Sequence, residues 1–447
     1  MKVVIVGCTH AGTAAVEQIL AHHPDAEVTV YERDNNISFL SCGIALYLDQ
    51  RVKRLEDMFY ATADDLRKLG ATVKLRHDVL KIDADKKTIV AQDMESYAIV
   101  HDTYDKLIIT TGSAVVVPPL QGIDHQHVLL CKDYHQAQEI YEAAKEYKNI
   151  ALIGGGYVNV ELAESFRRTG HDVTIYHRHG QVLNNYIDDV IADKITDQLT
   201  DHGVHFQLNH YVKGFIDDGD GLTIQTDHGD YQADIAIVST GFVAQTDLLR
   251  GQVELSRAGA IITNEYGQTS DPDIYAAGDV RVVRFNPTDK DVYIPLASNA
   301  VRQGMTVGMN IFGNTYPEMG TQGTSGLPLF DHTLATTGLT LTRALDADID
   351  AASITFEDNY RPEFMPTTTK ITVTLVYEKE TLRILGGQFY SKYDVAQSAN
   401  LLSLAIQNRN TLDQLAFVDM LFQPTFDRPF NYLNLAAQAG LRQEGRL

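Results

Sequence analysis

The chain has 447 residues, of which 44% are hydrophobic and 21% charged, and only three are cysteines. This length predicts two to four folded domains, and so few cysteines are typical of a reducing, cytoplasmic environment. The net charge of −22 argues against nucleic acid or an anionic membrane as a partner, and no apolar run is long enough to span a membrane.

The chain opens with a strand, a glycine turn and a helix, the arrangement that binds a dinucleotide. The apolar run 2–6 precedes a turn that contains Gly7, Thr9 and Gly12, and the next apolar strand, 27–31, ends at Glu32. Gly7 permits the tight turn, the N-terminus of the helix binds pyrophosphate, and Glu32 is placed to accept hydrogen bonds from ribose hydroxyls. Thr9 stands where a second glycine is usual.

A single cysteine follows this unit. Cys42 precedes a glycine, and the other two cysteines, Cys8 and Cys131, are distant in the sequence. A thiol without a local partner can cycle between thiolate and sulfenic acid or form a mixed disulfide with a small thiol. The pattern therefore favours oxygen, a peroxide or a thiol-capped cofactor as oxidant over a protein disulfide. The alternative is a small buried hydrophobic residue.

The strand–turn–helix pattern recurs in the middle of the chain. The apolar strand 149–153 leads into a turn that contains Gly154 and Gly156, and Tyr157 opens the next helix. Asn159 occupies the third glycine position, and Glu161 lies one turn further along. The sequence predicts a second dinucleotide site here.

A basic run stands where such a unit usually has its ribose-binding acid. His177, Arg178 and His179 follow the strand 171–176. A carboxylate at this position binds the 2′-hydroxyl of NAD, whereas arginine and histidine suit a 2′-phosphate. The run favours phosphate binding, although an exposed basic turn is the alternative.

Three further strand ends carry small or acidic residues. The strand 104–109 closes on Thr111 and Gly112, the strand 234–238 closes on Gly241, and Asp279 is predicted to end a strand and open a helix. A carboxylate at that place can hold cofactor hydroxyls. From about Thr321 the pattern changes to strands at 370–377 and 383–390 and helices at 394–407 and 411–422, an α+β domain without a nucleotide motif or a metal-ligand spacing.

Together these segments resemble the flavoprotein pyridine nucleotide–disulfide oxidoreductases, over essentially the whole chain. The lone cysteine places the resemblance in the group of NADH oxidases, NADH peroxidases and coenzyme A disulfide reductases. The segments 7–13, 38–43 and 426–433 look like those of water-forming NADH oxidases of lactic acid bacteria. The fold expected is α/β, with two Rossmann-like domains and a C-terminal α+β domain.

The resemblance implies a domain plan and a homodimer. Residues 1–112 and 243–321 would bind FAD, residues 113–242 NADH or NADPH, and residues 322–447 would dimerise. FAD would contact Gly7, Thr9, Gly12, Glu32, Thr111, Gly112 and Asp279, with Gly241 nearby. The nicotinamide nucleotide would contact Gly154, Gly156, Tyr157, Asn159, Glu161, His177, Arg178 and His179. Phe426 is the candidate for a contact with the flavin pocket of the second subunit.

The resemblance also implies a reaction, the oxidation of NAD(P)H by O2 to give water. Cys42 would be the peroxidatic thiolate and His10 a proton donor, or else only a helix cap. Tyr157 would cover the nicotinamide pocket, or be a core aromatic. Asn159 and the basic run depart from NADH-specific members, so NADPH is expected to be accepted or preferred. The alternatives are a coenzyme A disulfide reductase, a peroxidase, and a non-enzymatic redox sensor.

Overall fold

The computed structural model describes residues 1–447, and its first part is built around a parallel sheet. The elements of this part are β1 Lys2–Val6, α1 His10–His22, β2 Glu27–Tyr31, α2 Ile44–Leu48, α3 Ala63–Leu69, β3 Thr72–Lys74, β4 His77–Asp83, β5 Thr88–Asp93, β6 Ile99–Thr103 and β7 Lys106–Ile109. Strands β7, β1, β2 and β3 lie side by side and parallel, whereas β4 to β6 form a separate antiparallel sheet. The first strand and helix therefore form the predicted dinucleotide fold.

A second parallel sheet is inserted after β7. Its part of the chain comprises β8 Ser113–Val115, β9 Val128–Leu130, α4 Tyr134–Glu146, β10 Asn149–Ile153, α5 Tyr157–Arg168, β11 Asp172–His177, α6 Asp189–Asp201, β12 Val204–Leu208, β13 Val212–Asp217, β14 Leu222–Thr226, β15 Asp230–Ala233, β16 Ile235–Val238 and β17 Phe242–Ala244. The sheet order is β12-β11-β10-β16-β9. Strands β8 and β17 pair antiparallel, so the chain enters and leaves this insert through one two-stranded ribbon.

The chain then returns to the first sheet. The elements are β18 Ile274–Ala276, β19 Val283–Phe285, β20 Lys290–Val292 and α7 Ala297–Asn310. Strand β18 pairs with β7 at the edge of that sheet, and α7 packs along α1. Small residues permit this approach, because a Cβ on Gly304 would lie 2.2 Å from the carbonyl oxygen of Ala11.

The C-terminal part is an antiparallel sheet covered by helices. It comprises β21 Ser325–Leu329, β22 His332–Gly338, α8 Leu341–Asp346, β23 Ala351–Asn359, β24 Lys370–Glu378, β25 Ile384–Ser391, α9 Ala396–Gln407, α10 Leu412–Phe417 and α11 Tyr432–Gln443. The order β21-β22-β25-β24-β23 places the buried strand β25 at the centre. The α/β fold class with two Rossmann-like units and a C-terminal α+β unit is confirmed. None of the helices is both long and apolar enough to cross a membrane.

Two predicted elements differ in the structure. The helix expected over 411–422 ends at Phe417, because Val418 is extended and the Asn434 side chain donates hydrogen bonds to the carbonyls of Leu415 and Val418. Asp279 does not open a helix. It lies in a turn after Gly278, whose φ is +84°, and the next helix begins only at Ala297.

Candidate active site

A cleft of about 1360 Å³ runs between the two parallel sheets and is bordered by the C-terminal unit. This is more than a single drug-sized ligand needs. The cleft is lined by most of the predicted site residues: Gly7, Thr9, His10, Glu32, Cys42, Thr111, Gly112, Gly154, Gly156, Tyr157, Glu161, His177, Arg178, His179, Gly241 and Asp279. Gly12, Asn159 and Phe426 do not line it.

The first glycine turn has little room for side chains. Gly7 has a φ of +91°, and a Cβ there would lie 2.5 Å from the carbonyl oxygen of Thr110. A Cβ on Gly12 would lie 2.3 Å from the carbonyl oxygen of Gly7, so Gly12 allows α1 to pack against the turn. Thr9 is exposed at the start of α1 and makes no side-chain cap. The N-terminus of α1 therefore faces the cleft with its N–H groups available for an anion.

Glu32 lies at the end of β2 and is 7% exposed. Its carboxylate accepts hydrogen bonds from the N–H groups of Cys8, at 2.6 Å, and Asp34, at 2.8 Å. Burial raises the pKa of this carboxyl to about 7. A buried acid that lines a cleft favours further donors such as ribose hydroxyls, because they stabilise its charged form.

Asp279 follows the edge strand β18 at the same carboxyl-terminal end of the first sheet as Glu32, and it has three polar neighbours. It accepts a hydrogen bond from Ser113 Oγ at 2.8 Å, and the Lys132 ammonium lies 3.6 Å from the same oxygen. The buried hydroxyl of Tyr293 has no hydrogen-bond partner, and the charge of Asp279 helps to raise its pKa after burial. This group of acceptors and donors fits a polyhydroxylated chain.

The loops at Thr111 and Gly241 are tied together. Thr111 Oγ1 donates to the carbonyl oxygen of Gln245 at 2.7 Å, and Gln245 Nε2 donates to the carbonyl oxygen of Thr111 at 3.0 Å. Both Gly112 and Gly241 leave open space beside them. Gln245 thus holds the loop.

The second glycine turn is packed against the following strand. Gly154 has a φ of +117°, and a Cβ on Gly155 would lie 2.7 Å from the His177 ring. A Cβ on Gly156 would meet nothing within 4 Å, so the space above that residue is open. Asn159 is fully buried; its Nδ2 donates to the carbonyl oxygen of Gly154 at 2.8 Å, while its Oδ1 has no partner. Asn159 therefore fixes the turn from below instead of facing the cleft.

The basic run begins at the end of β11. Arg178 and His179 are exposed, and Arg178 Nε donates to His179 Nε2 at 3.1 Å. His177 Nε2 lies 3.3 Å from Oδ1 of Asn184. Burial lowers the pKa of His177, so this ring is neutral near pH 7 and Arg178 carries the fixed charge.

Cys42 is exposed toward the cleft, whereas Cys8 and Cys131 are buried. Partial burial raises the pKa of the Cys42 thiol, and the negative charge of Glu161 raises it further. Glu161 itself has a pKa raised to about 7 by burial and by the neighbouring Glu164, an effect that Arg51 opposes. The thiol of Cys42 belongs to the first unit and Glu161 to the second, so the cleft brings the two groups together.

His10 is the first residue of α1, and a tyrosine holds its ring. Its Nδ1 lies 3.0 Å from the hydroxyl of Tyr60, and the two rings stack at 5.7 Å. Burial lowers the pKa of His10, and the positive charge of Lys132 lowers it further against the opposing effect of Asp279. His10 makes no side-chain hydrogen bond that caps its own helix.

Tyr157 begins α5 and is held by the C-terminal unit. Its hydroxyl lies 3.1 Å from Ser325 Oγ and 3.2 Å from Thr336 Oγ1, and its ring meets that of Tyr186 edge-on at 4.5 Å. Burial raises the pKa of Tyr157 to about 12. We call Ser325 and Thr336 the hydroxyl clamp.

Phe426 does not line the cleft of its own chain; it lies on an irregular segment and is 62% exposed. The carboxyl of the adjacent Asp427 is buried and bonds Asn431. Other large apolar side chains of this region are exposed as well: Phe417, Leu421, Phe422 and Phe430. A patch of this kind marks an interaction surface.

Several site residues could not be found from spacing. Tyr60, Lys132, Ser325, Thr336 and Arg343 support or line the cleft, yet each is a single polar residue outside any motif. Only the tertiary fold brings them to the predicted residues.

Comparison with known proteins agrees with this geometry. The model of the pyridine nucleotide-disulphide oxidoreductases matches residues 1–304, and that of their dimerisation domain matches residues 325–433. The chain belongs to this family. It is 52% identical to an NADH oxidase of Enterococcus faecalis, over 99% of each chain.

Two solved structures share the fold over nearly their whole length. The water-forming NADH oxidase from Lactobacillus brevis, bound to NADH, is 52% identical, with a TM-score of 0.99 over 100% of this chain and 99% of that one. An engineered variant of that enzyme, a water-forming NADPH oxidase bound to NADPH, is 53% identical, with the same TM-score and coverage.

Proposed function

We propose that this protein is an FAD-dependent NAD(P)H oxidase that reduces O2 to water. The observation that carries the proposal is the exposed Cys42 thiol in a cleft between two dinucleotide turns, with both other cysteines buried. A dithiol cycle would need a second accessible cysteine, whereas a lone thiol suits a peroxide.

The cofactor assignment follows from the donors and acceptors in the cleft. Residues 1–112 and 243–321 would hold FAD, with its pyrophosphate at the turn of Gly7, Thr9 and Gly12, its ribose at Glu32 and its ribityl chain beside Asp279. Thr111, Gly112 and Gly241 would border the flavin ring. Bound FAD supplies hydride acceptance from the nicotinamide and two-electron reduction of O2. Residues 113–242 would hold NAD(P)H, and residues 322–447 would dimerise.

Cys42 would perform the second reduction. Its thiolate attacks one oxygen of hydrogen peroxide, the O–O bond breaks, and the departing hydroxide takes a proton to become water. The sulfur is oxidised to sulfenic acid. A second NAD(P)H supplies the two electrons that return the sulfenic acid to the thiolate and release its oxygen as water. In sum, two NAD(P)H, two protons and one O2 give two NAD(P)⁺ and two waters.

His10 would handle the protons of this step. The Tyr60 hydroxyl engages Nδ1 and fixes the ring, which leaves Nε2 available. Because its pKa is lowered, the ring is mostly neutral near pH 7. Its protonated fraction would pass a proton to the departing hydroxide, and the neutral ring would then take one from solvent. Glu161, with a pKa of about 7, is a second group of suitable acidity in the cleft.

The second site is proposed to accept and to prefer NADPH. Arg178 forms no ion pair, and His177 and His179 lie beside it. The engineered NADPH oxidase replaces an aspartate by alanine and an alanine by arginine at positions whose numbers are those of His177 and Arg178 in this chain. A 2′-phosphate suits an arginine and two histidines better than the hydroxyls of NADH do.

The protein is proposed to be a homodimer. The matched dimerisation domain and the exposed apolar patch around Phe426 support this proposal. Phe426 would contact the flavin pocket of the second subunit.

Oxygen uptake by the Cys42→Ser variant tests the function. The wild type should consume O2 with NADH and with NADPH and release almost no peroxide, whereas the variant should release peroxide nearly stoichiometrically. Hydride transfer needs no thiol, so the variant should remain active. A variant that still makes only water would refute the role of Cys42. A wild type that consumes no O2 but reduces peroxide or coenzyme A disulfide would support one of the alternative enzymes, and one that turns over none of them would support a redox sensor.

A further inference from the structure

Two arginines that line the nucleotide half of the cleft lack a carboxylate partner. Arg178 bonds only a histidine, and Arg343 Nη1 donates only to Oδ1 of Asn185, at 3.3 Å. Most arginines of this acidic chain bond a carboxylate or a carbonyl group, as Arg51, Arg168 and Arg428 do. Two uncompensated guanidinium groups beside one cleft indicate an anionic ligand.

Arg343 reaches the cleft from a different part of the fold. It lies on α8 of the C-terminal unit, is exposed, and borders the cleft. Its partner Asn185 stands between Asn184, which contacts His177, and Tyr186, which contacts Tyr157. The guanidinium therefore borders the cleft beside a loop that contacts both the basic run and Tyr157.

The surroundings of Arg343 place it nearer to the glycine turn. Its positive charge opposes the rise that burial causes in the pKa of Tyr186, so the two groups are close. Tyr186 meets Tyr157, the residue that directly follows the glycine turn. The N-terminus of α5 begins there and favours a pyrophosphate.

We propose that Arg343 binds the pyrophosphate that NADH and NADPH share, while Arg178 reads the 2′-phosphate. The inference rests on the proposed nucleotide site of residues 113–242. It predicts that the C-terminal unit contributes to nucleotide affinity without contributing to nucleotide choice. The Arg343 guanidinium would then hold the dinucleotide against the N-terminus of α5.

The effect should be moderate because Arg343 is exposed to solvent. A charge-assisted hydrogen bond at a solvated site contributes less than a buried one. We expect Arg343→Gln to weaken both nucleotides about five- to tenfold, with KM rising and kcat nearly unchanged, the pattern of uniform binding.

Calorimetric titration of the holoenzyme with ADP-ribose and with NADP⁺ tests the proposal. ADP-ribose carries the pyrophosphate without a 2′-phosphate or a nicotinamide. Arg343→Gln should weaken both ligands by a similar factor, and Arg178→Gln should weaken NADP⁺ alone. Arg257→Gln, at an exposed loop position outside the cleft, is the matched control and should bind both like the wild type.

Each result separates the inference from the proposed function. Unchanged binding of ADP-ribose to Arg343→Gln overturns the inference, and so does a loss confined to NADP⁺, which would make Arg343 a reader of the 2′-phosphate. If ADP-ribose binding depends on Arg343 but the protein consumes no O2, the inference stands and the oxidase function fails.

Discussion

Both glycine turns begin with a glycine of positive φ, but the strands that follow them end in different residues. Gly7 and Gly154 both have positive φ values, +91° and +117°, and both precede a helix between parallel strands. After the first turn the strand ends in a buried carboxylate, Glu32. After the second it ends in His177, whose ring covers Gly155, followed by the exposed Arg178. Under the proposed function, each turn would provide an anion site, and the strand end that follows it would select the ribose.

Removing the acid of the first unit should have the largest effect. Glu32→Ala deletes the acceptor for two backbone N–H groups and for the proposed ribose hydroxyls. Hydrogen bonds to a charged group contribute about 1.5–3 kcal/mol each, so FAD affinity should fall on the order of 100-fold or more. Flavin absorbance of the purified protein and titration with FAD measure this.

Glu27→Ala is the matched control, since Glu27 begins the same strand but is exposed. It should retain flavin. If Glu32→Ala purifies with full flavin content, the ribose is not held at this strand end.

Replacing the basic residues at the end of β11 should have the second largest effect. His177→Asp combined with Arg178→Ala introduces an acid and removes the fixed positive charge, so the nucleotide preference should move from NADPH to NADH. A bidentate arginine–phosphate contact predicts a change of roughly ten- to hundredfold in the ratio of kcat/KM values. Steady-state oxygen uptake with each nucleotide measures that ratio.

The NADPH preference of the unchanged protein should depend on pH. Burial lowers the pKa of His177, so its added positive charge, and the stronger NADPH preference that follows, should develop below pH 6.5 and fade as pH rises. His205→Ala, on the exposed side of β12, should change neither the ratio nor its pH profile. Equal ratios before and after the double exchange would show that the loop does not read the 2′ position.

The sequence predicts local patterns well and supporting contacts poorly. Strands β1, β2 and β10 have the predicted bounds, because apolar runs that end in glycine turns leave few alternatives. The helix at 411–422 was predicted too long because Asn434, which ends it, comes from another helix. The turn at Asp279 was predicted as a helix start because the positive φ of Gly278 was not apparent.

Partners from distant segments explain the rest. Tyr60 is 50 residues from His10, and Ser325 is 168 residues from Tyr157. No spacing rule connects such pairs, since only tertiary packing brings them together. The first pair forms within the first unit, and the second forms where the C-terminal unit packs against α5. The prediction for Asn159 was also incomplete, because its side-chain amide donates a hydrogen bond to the carbonyl oxygen of Gly154 and so supports the turn.

Removing the hydroxyl clamp tests whether Tyr157 blocks access of the nicotinamide to the second glycine turn. The double variant Ser325→Ala and Thr336→Val removes two hydrogen bonds to Tyr157. If Tyr157 must move aside for the nicotinamide, loss of bonds worth about 0.5–1.5 kcal/mol each raises the open fraction and lowers KM roughly two- to tenfold. Stopped-flow reduction of the flavin separates binding from hydride transfer.

Thr337→Val is the control for the clamp. Thr337 lies beside Thr336 but bonds Thr324, at 2.8 Å, instead of Tyr157. It should leave KM unchanged. A rise in KM for the double variant alone would mean that the clamp holds Tyr157 in its binding position and not in a closed one.

The smallest effect should be the influence of the second unit on the thiol of the first. The negative charge of Glu161 raises the pKa of Cys42, after burial. Glu161→Gln removes that charge but keeps the burial, so the pKa of Cys42 should fall. The thiolate fraction at pH 8 should therefore rise, and the pH profile of Cys42 alkylation should shift to lower pH. Because the pKa of Glu161 is about 7, this acid is charged throughout the pH range in which Cys42 titrates, so the whole effect is visible there.

Glu146→Gln, at the exposed end of α4, should leave the profile in place. A profile that stays in place for Glu161→Gln as well would show that burial alone sets the acidity of the thiol and that the two units do not communicate through this pair.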